Sequence, residues 1–362
     1  MKQHLIFIGN KFVYNLSLRE YVLRKVEQKI GFLDSITYFK ESDNSLFLYL
    51  ENELNSEDKI IIVSTKKHFA TVGKLICTIT GDNQVLQGST LMPQKSAVFQ
   101  ERSYLLEYKD AVSNVIQIDE AQQMPEVLMQ TDKLNETIHV FDEPKETLIA
   151  ILNPIAQTYE VNITVTKKIE GWLRVDISSN KYGDISKFID SAKQLLPKNL
   201  IAATNILDHI IEKLSTADKK ISFAESCTGG LLSYYFTKNN GASKILDGSL
   251  ITYSNSLKEN WLAVDHNIIE EEGAVSDKVV AQMSEGALNV SDADFSISVS
   301  GIAGDGGGTE LKPVGTVYIG VRTKTQHKEV HLKLEGDRNY VQKQSVLHAI
   351  KMLLIIDKSV FF

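Results

Sequence analysis

Apolar and polar positions alternate along the first third of the chain in patterns typical of an α/β domain. Leu5–Ile8 and Lys59–Ser64 are short apolar runs, whereas Leu16–Ile30 repeats its apolar positions at helical spacing. The run at Lys59–Ser64 is continuous, which predicts a strand buried on both faces of a parallel sheet. Ser45–Leu50 has the pattern of a further strand. Residues 1–136 are therefore predicted to form one α/β domain that ends in a polar linker.

Residues 137–198 are predicted to form a smaller α+β module in the order β, α, β, β, α. Its elements are predicted at 138–141, 146–159, 162–169, 172–178 and 184–196. Pro154 is expected to kink or split the first helix, because proline removes a backbone donor.

Residues 199–362 return to an α/β pattern and form the last predicted domain. A helix at 200–214 is expected first, and Asn339 is expected to cap the final helix. The elements between them are predicted as strands at 221–224, 248–253 and 295–300, a helix at 277–287 capped by Ser276, and a hairpin of strands at 314–322 and 328–334.

Composition narrows the functional classes. The chain has 362 residues, 43% hydrophobic and 23% charged, with a formal net charge of -7. This acidic balance argues against broad affinity for nucleic acid or anionic membranes. Cys77 and Cys227 lie far apart and form neither a disulfide framework nor a metal-ligand cluster. No apolar run is long enough to cross a bilayer and the first residues do not resemble a signal peptide, so a cytoplasmic protein is expected.

The most informative stretch is Ile221–Gly230, in which an apolar run ends in a turn of small residues before a helical pattern. This order predicts a strand, a tight turn and a helix. Such a turn aims free N–H groups and the positive end of the helix dipole at a ligand. Ser226, Cys227 and Thr228 therefore lie where a nucleophile or a phosphate would be held. Taken alone, the turn also fits a plain capped helix with Ser226 or Thr228 as its N-cap.

Three further segments follow predicted strands or precede a predicted helix. Tyr253 ends a strand and Lys258 follows closely, residues 301–308 form a glycine-rich loop, and Arg338 precedes the last helix. Ligands of open α/β sheets bind beyond the carboxyl ends of the strands, so these segments are predicted to converge with the Ser226 turn. Each also has a plain interpretation, as a surface lysine, a flexible turn or a solvated arginine.

The residue types around Ser226 favour nucleophilic catalysis with a lysine base. A serine hydroxyl is a poor nucleophile without a base, and no histidine is well placed to serve. No G-x-S-x-G elbow surrounds the serine. A lysine whose pKa is depressed by burial can act instead, and Lys258 is the candidate. The glycine loop carries neither a dinucleotide-binding fingerprint nor a P-loop.

Taken together, these motifs resemble the competence/damage-inducible protein A (CinA) family, whose C-terminal domain is a nicotinamide mononucleotide amidase. The matching stretches occur in family order at Ala224–Gly230, Thr252–Asn255 with Lys258, Gly273–Ser276, Ser300–Gly304, Lys312–Gly315 and Gly336–Arg338. The family usually has Gly-Pro-Asp-Gly-Gly in the glycine loop, and here Gly304 is followed by Asp-Gly-Gly-Gly. The missing proline is expected to loosen the loop without removing its N–H groups.

The resemblance implies a role for each catalytic position. Ser226 attacks the carboxamide carbon, Lys258 takes its proton as general base, and Tyr253 assists proton transfer or orients the pair. Arg338 positions the substrate or polarises the site. Backbone N–H groups of the turn stabilise the oxyanion, an effect typically worth about 2.7–4 kcal/mol per donor. Water then resolves the acyl-enzyme, and the products are nicotinic acid mononucleotide and ammonia.

The resemblance also implies a nucleotide-binding set, with no metal and no cofactor. Its members are Cys227, Thr228, Gly229, Ser300, Gly301 and Gly304, and the substrate phosphate is expected at a helix N-terminus or the glycine loop. Cys227 is a rival nucleophile, since a thiol is intrinsically more reactive than a hydroxyl. Ser226 is preferred because it occupies the nucleophile position of the family, and Cys227 is expected to be a packing residue.

By the same resemblance, the front domain is molybdopterin-binding-like and the middle module is KH-like. In many relatives the front domain hydrolyses ADP-ribose with a divalent metal. Here Gly9–Lys11 and Ser64–Phe69 replace the family motifs, without their phosphate-binding glycines and metal-binding acids. The front domain is therefore predicted to be a degenerate relative. The module lacks the G-x-x-G loop that clamps nucleic-acid backbone, so no RNA binding is predicted.

The leading hypothesis is an amidase of pyridine-nucleotide salvage that acts on a small-molecule nucleotide. Family resemblance suggests a homodimer, with neither a membrane nor a nucleic acid as partner. Two alternatives stay open: a bifunctional protein that also cleaves ADP-ribose, and a non-catalytic nucleotide-binding or assembly protein linked to competence. The intact set of nucleophile and base weighs against the second, because a binding module needs neither.

Overall fold

The structure is a computed structural model that describes residues 2–41, 43–130, 134–179, 182–304 and 306–362. The chain divides into two compact units, residues 1–135 with 179–182 and residues 136–178 with 183–362. Both units combine β-sheets with packed helices, which confirms the α/β class. The finer division into three domains at 136/137 and 198/199 stays a prediction.

The first unit is built on a six-stranded sheet with helices on both faces. Its elements are β1 (Gln3–Ile8), α1 (Asn10–Tyr14), α2 (Leu16–Ile30), β2 (Ser35–Phe39), α3 (Leu46–Leu54), β3 (Lys59–Ser64), α4 (Lys66–Thr80), β4 (Gln84–Gln87), β5 (Thr90–Pro93), β6 (Val98–Gln100), β7 (Ser103–Tyr108) and β8 (Ala111–Gln117). The sheet order is β2-β1-β3-β8-β7-β6, with the first four strands parallel.

The continuous apolar run of β3 is explained by burial on both faces. Ile60 and Ile62 lie in one core with residues of α3 and α4. Ile61 and Val63 lie in the other core with residues of α2. β3 pairs in parallel with β1 and β8, so the prediction of a buried parallel strand is confirmed.

The strand predicted at Ser45–Leu50 is wrong, since this segment begins helix α3. Leu46, Leu50 and Leu54 recur at a spacing of four and are buried, whereas Leu48 is exposed. The first six residues are too uniformly apolar to separate a strand from a helix, and the helical period becomes visible only further along.

The segment predicted as a polar linker packs against the first unit. Residues 119–130 have no regular structure, but Met124, Val127 and Met129 are buried in the core that α2 covers. β9 then begins at Leu134. The apolar side chains are widely spaced among polar ones, which explains why the pattern indicated a linker.

The second unit begins with a four-stranded sheet. Its elements are β9 (Leu134–Phe141), α5 (Lys145–Thr158), β10 (Val161–Ile169), β11 (Trp172–Ser179), α6 (Ile185–Leu195) and β12 (Leu200–Ala202), in the sheet order β10-β11-β9-β12. α5 continues through Pro154 without being split. Leu148, Leu152 and Ala156 are buried on either side of the proline, so packing holds the helix together.

The helix predicted at 200–214 is wrong in its first residues. Leu200–Ala202 forms β12, which pairs antiparallel with β9. Helix α7 begins only at Ile206, where the Asn205 side chain accepts a hydrogen bond from the Leu207 N–H. The apolar spacing of this segment does not reveal a pairing with a strand some 60 residues away.

The rest of the second unit is a five-stranded sheet between helices. Its elements are α7 (Ile206–Thr216), β13 (Ile221–Glu225), α8 (Leu231–Thr237), β14 (Leu246–Ile251), α9 (Asn255–Leu262), α10 (His266–Glu272), α11 (Asp277–Ser291), β15 (Phe295–Gly301), β16 (Thr316–Thr323), β17 (His327–Lys333), α12 (Arg338–Ile356) and α13 (Lys358–Phe361). The sheet order is β14-β13-β15-β16-β17. The hairpin predicted at its end is confirmed as antiparallel β16 and β17.

Small residues let α11 approach one face of this sheet closely. Ser222, Ser296 and Ser298 are buried, and each hydroxyl donates to a main-chain carbonyl of α11 at 2.6–3.0 Å. The alternate apolar side chains face the core that α7, α8 and α12 cover. This alternation leaves β13 and β15 buried on both faces at the centre of the sheet.

Two predicted helix caps have different outcomes. Ser276 caps α11 through its hydroxyl, which accepts from the Val279 N–H, as predicted. α12 is capped by Asp337 and not by Asn339, because the Asp337 carboxylate accepts from the Tyr340 N–H at 2.8 Å. The helix therefore begins at Arg338.

Candidate active site

Four chemically unusual segments meet at one edge of the five-stranded sheet. β13, β14 and β15 are parallel neighbours, so their carboxyl ends lie side by side. The Ser226 turn follows β13, Tyr253 follows β14, and the glycine loop follows β15. β17 runs in the same direction as β15 because β16 is antiparallel to both, so Arg338 also begins its helix at this edge.

The Ser226 turn is a tight turn held by main-chain bonds at both ends. The Ser226 N–H donates to the Val299 carbonyl on β15 at 2.9 Å, and the Gly229 N–H donates back to the Ser226 carbonyl at 3.1 Å. Gly229 and Gly230 both have positive φ values, of 56° and 98°. Only glycine adopts such a pair without strain, which explains the Gly-Gly at this position.

Glu225 occupies the N-terminus of α8 and was not identified from the sequence. Its side chain is fully buried and accepts from the N–H groups of Gly230, Leu232 and Ser233 at 3.0 Å. It also accepts from the Thr228 hydroxyl at 2.8 Å. The substrate phosphate expected at a helix N-terminus therefore has no place at α8, and neither Ser226 nor Thr228 is the N-cap. The sequence signal that could have identified Glu225 is an acidic residue at the end of a largely apolar strand.

Replacing Glu225 by alanine is expected to destabilise the second unit strongly. Three N–H groups and the Thr228 hydroxyl would lose their acceptor, and each buried unsatisfied donor costs about 1–3 kcal/mol. We expect the free energy of unfolding to fall by at least about 3 kcal/mol, measured by urea denaturation. Asp247→Ala, which removes an exposed carboxylate from β14, is the matched control. Equal midpoints for the two variants would contradict the role assigned to Glu225.

Lys258 reaches Ser226 from the first turn of α9. Its Nζ lies 3.2 Å from the Ser226 Oγ and donates to the Thr252 carbonyl at 2.8 Å. The Tyr253 carbonyl lies 3.5 Å from the same nitrogen. The Lys258 side chain is 1% exposed, and none of the described residues pairs a carboxylate with it.

Burial lowers the pKa of Lys258 below its ordinary value, because desolvation penalises the ammonium form. The neighbouring hydroxyl and carbonyls compensate only part of the lost hydration. A neutral amine 3.2 Å from a serine hydroxyl is placed to accept its proton. The pair therefore has the geometry of a nucleophile and a general base.

Cys227 lies in the hydrophobic core of the second unit. Its side chain packs with residues of α8 and α12, and it is 5% exposed. Burial raises the pKa of the thiol to about 12, so the thiolate is not populated at neutral pH. These properties favour the packing role over that of rival nucleophile.

Arg338 and Tyr253 form a second pair at the mouth of the site. The Arg338 Nη2 donates to the Tyr253 hydroxyl at 3.0 Å. The arginine also lies across the glycine loop, since a side chain at Gly304 would meet its Nη1 at 2.8 Å. Both side chains are exposed, and the Tyr253 ring is 61% exposed. The Tyr253 hydroxyl therefore faces Arg338, and only the tyrosine carbonyl approaches Lys258.

The predicted nucleotide-binding residues divide into two groups. Gly229 has open space where a side chain would project. The Ser300 hydroxyl instead donates to the Ala274 carbonyl at 2.8 Å, and a side chain at Gly301 would collide with β16. The Thr228 hydroxyl is bonded to Glu225. Thr228, Ser300 and Gly301 thus have structural roles. Gly229 borders open space and Gly304 borders Arg338, so these two are the better candidates for contact with a nucleotide.

Comparison with known families places the residues of this site within one family domain. A family model described as the CinA C-terminal domain matches residues 203–356. The chain belongs to the CinA family. The match covers the five-stranded sheet, the Ser226 turn and the whole of α12, so every residue of the site lies in the CinA domain.

Individual relatives are similar to this chain over part of their length. A protein of Caldicellulosiruptor saccharolyticus named as competence-damage inducible is 36% identical over 225 residues, 61% of this chain and 52% of that protein. A CinA-like protein of Fervidobacterium nodosum is 44% identical over 146 residues, 40% of this chain and 36% of that protein. The chain thus spans about half the length, or less, of these curated relatives.

A solved structure is similar to the same region. It is the competence/damage inducible protein CihA of Agrobacterium tumefaciens, which is 34% identical to this chain. The alignment covers 41% of this chain and 92% of that chain, with a TM-score of 0.41.

A further CinA motif, Lys312–Gly315, braces the loop that precedes α11. The Lys312 Nζ donates to the carbonyls of Glu272 and Val275 at 2.5 and 2.7 Å. Together with the bond from Ser300 to Ala274, this lysine ties the loop before α11 to the end of β15. The motif therefore has a structural role, because it holds the loop before α11 in place.

In the first unit, the sheet edge at the carboxyl ends of the parallel strands is less suited to bind a nucleotide or a metal than the edge that carries Ser226. Beyond the carboxyl ends of its parallel strands, Lys11 pairs with Asp119 and Glu120 at 3.1 and 2.5 Å. The Lys66 N–H donates to Asp119 at 2.9 Å, and Lys67 pairs with a further glutamate. Cations and acids at this edge thus neutralise one another, which does not fit the divalent metal that the front-domain resemblance implies.

The described part of the chain contains neither a group of metal-ligating side chains nor a helix that could cross a membrane. Within the described ranges, no three His, Cys, Asp or Glu side chains lie together in a way that could hold a metal ion. Of the helices that the structure describes, none has the length and apolar character needed to span a bilayer.

Proposed function

We propose that the CinA domain of this chain hydrolyses the carboxamide of nicotinamide mononucleotide to nicotinic acid mononucleotide and ammonia. The observation that carries the proposal is the distance of 3.2 Å between the Ser226 Oγ and the Nζ of the buried Lys258. A hydroxyl beside a buried amine of lowered pKa is suited to acyl transfer, and a pure binding site needs no such pair.

The chemistry follows from these two groups. The Lys258 Nζ accepts the proton of Ser226 as its Oγ attacks the amide carbon. The same nitrogen then returns the proton to the departing amine, so that ammonia leaves and an acyl-serine ester remains. Lys258 next removes a proton from water, which attacks the ester and releases the carboxylic acid. Each proton taken from a nucleophile is returned to a leaving group, so the cycle ends with Ser226 and Lys258 unchanged.

The oxyanion of each tetrahedral intermediate needs donors close to Ser226. The N–H groups of Cys227 and Thr228 are suited to this task, because in the described part of the chain neither donates to another residue. The other N–H groups of the turn already have acceptors. In a site shielded from water, each such donor typically contributes about 2.7–4 kcal/mol.

Arg338 is suited to hold the nucleotide by its phosphate. Its guanidinium has a hydrogen bond to Tyr253 but no carboxylate partner among the described residues. A planar guanidinium binds phosphate through paired N–H donors. We therefore assign Tyr253 to the orientation of Arg338 and leave proton transfer to Lys258.

The proposal is tested by ammonia release from nicotinamide mononucleotide in the presence of a chelator. We expect release with equimolar formation of nicotinic acid mononucleotide. Nicotinamide riboside, which lacks the phosphate, should be hydrolysed with a much higher KM because it cannot pair with Arg338. Folded protein that releases no ammonia would reject the proposal. ADP-ribose in the same assay tests the bifunctional alternative, and the paired charges of the first unit predict no cleavage. A homodimer in the cytoplasm remains part of the proposal.

A further inference from the structure

We infer that Gln342 is a positioning residue for the oxyanion-binding turn, through a hydrogen bond to the peptide that carries the Thr228 N–H. The inference rests on the proposed function for its catalytic meaning. It concerns a residue outside every motif on which the family resemblance depends.

Gln342 reaches the turn from the same face of α12 as Arg338. The two residues are one helical turn apart, so their side chains project in similar directions. The Gln342 Nε2 donates to the Cys227 carbonyl at 2.7 Å. This is a short hydrogen bond between residues 115 positions apart in the chain, and it joins α12 directly to the residue after the nucleophile.

The bonded carbonyl belongs to the central peptide of the turn. Ser226 and Gly229 are its first and last residues, joined by the bond from the Gly229 N–H to the Ser226 carbonyl. The peptide between Cys227 and Thr228 is therefore the one that rotates when a β-turn changes type. Thr228 does not have a positive φ, which excludes the flipped form. The hydrogen bond that closes the turn does not prevent smaller rotations of this peptide.

Gln342 restricts those remaining rotations. In a trans peptide the carbonyl and the N–H point in opposite directions, and the described chain has no cis peptide bond. A bond that holds the Cys227 carbonyl toward α12 therefore holds the Thr228 N–H pointing away from α12. That N–H donates to no described residue, so it is available to donate to a substrate oxygen. Successive N–H groups in a turn form a concave anion site of this kind.

The energetic consequence appears in the transition state. An oxyanion donor that is aimed in advance needs no reorganisation when charge develops on the substrate oxygen. The ground-state amide gains much less from the same donor. Loss of the Gln342 bond should therefore lower kcat and leave KM nearly unchanged. A merely structural role would instead lower the amount of folded protein or raise KM.

The test compares Gln342→Leu with Gln344→Leu. Gln344 has the same side chain on the same helix, two residues further along and thus on another face, and its side-chain amide has no hydrogen bond to the described residues. We expect kcat of Gln342→Leu to fall about 10- to 100-fold, somewhat less than the loss of a whole donor, with KM within about threefold of wild type. Gln344→Leu should match wild type. Gln342→Glu, which cannot donate to the carbonyl, serves as a second variant if the leucine protein does not fold.

A second readout separates this inference from the choice of substrate. Labelling of Ser226 by a fluorophosphonate, followed by intact-protein mass, also needs a donor for the phosphoryl oxygen. Wild-type protein that is inactive on nicotinamide mononucleotide, but is labelled faster than Gln342→Leu, would reject the substrate and keep the positioning role. Equal labelling of the two proteins, including no labelling of either, would overturn the inference. An unchanged kcat in folded Gln342→Leu would also overturn it.

Discussion

Replacing Ser226 by alanine is expected to abolish ammonia release while leaving the protein folded. Among the described residues the hydroxyl has one polar side-chain partner, the Lys258 Nζ at 3.2 Å. Its loss removes the nucleophile and no structural bond of the turn, which is held by main-chain groups. Loss of a nucleophile of this kind costs at least about 10⁴-fold in kcat. Steady-state ammonia release with nicotinamide mononucleotide measures the effect.

Two variants serve as controls for this prediction. Ser222→Ala removes a buried hydroxyl from β13, the strand that leads to Ser226. This hydroxyl donates to the Ala287 carbonyl at 3.0 Å, so its loss should lower stability without lowering activity. Cys227→Ala removes the rival nucleophile, and we expect it to retain activity within severalfold because its thiol is protonated and buried. Activity that survives in Ser226→Ala and disappears in Cys227→Ala would reverse the assignment.

Replacing Lys258 by methionine is expected to lower kcat by about 10²- to 10⁴-fold, the usual contribution of a general base. Methionine has a similar length and no proton acceptor of comparable strength, so the cavity stays filled. Lys258→Arg keeps the positive charge without the base and should lose activity to a similar extent. Full activity in the methionine variant would show that another group takes the proton from Ser226.

The pH dependence supplies an independent readout for Lys258. Its folded pKa lies below the ordinary value of 10.5, so the neutral base becomes populated as pH rises through the lowered pKa. We expect kcat/KM of the wild type to rise along this limb, and the limb to be absent from the residual activity of Lys258→Met. A limb that persists unchanged in the variant would have to belong to another group.

The same lowered pKa also makes the stability of the wild type depend on pH, in the same direction. Between the lowered pKa and 10.5, the unfolded chain binds a proton that the folded protein has released, so wild-type stability should rise with pH in this window. Below the window the folded protein carries a buried ammonium, and the cost of burial is fully present. Lys258→Met should therefore be more stable than wild type at low pH, with the difference shrinking as pH rises. Thermal unfolding of both proteins across this pH range measures it.

These expectations describe a trade between stability and activity at one position. A buried lysine without a carboxylate partner among the described residues is unfavourable for folding. The same burial lowers the pKa of the amine, which increases the fraction of neutral base at any pH below 10.5. Glu225 is the contrasting case, because its buried charge is compensated by several donors and holds the turn together. Two buried ionisable groups within one site thus serve different purposes, set by their partners.

Local patterning was sufficient for the central strands and insufficient for several shorter elements. β3 and the hairpin of β16 and β17 were predicted because their apolar runs are bounded by turns or alternate clearly. α3 was mistaken for a strand because six consecutive residues do not distinguish the two periods. β12 was missed because its formation depends on a partner strand far away in sequence.

In the candidate site, too, some residues could be predicted from the sequence and others could not. The motif Ala224–Gly230 and the lysine at 258 could be found in the sequence, and the resemblance to the CinA family followed from them. Glu225 lies inside that motif, but the sequence does not indicate a role for it. Gln342 lies outside every motif. Both act through hydrogen bonds to groups that the linear sequence does not place beside them.

The sequence by itself determined the α/β class, most of the central strands and the family to which the chain belongs. Periodicity reveals which side of an element is apolar, and a set of motifs in a fixed order is specific enough to indicate a family. Only the tertiary structure decided which groups meet: Lys258 beside Ser226, the Tyr253 hydroxyl on Arg338, and Glu225 in the place expected for a phosphate. The reason is physical, because the pKa of a side chain and the direction of a peptide depend on desolvation and on partners that packing alone brings together.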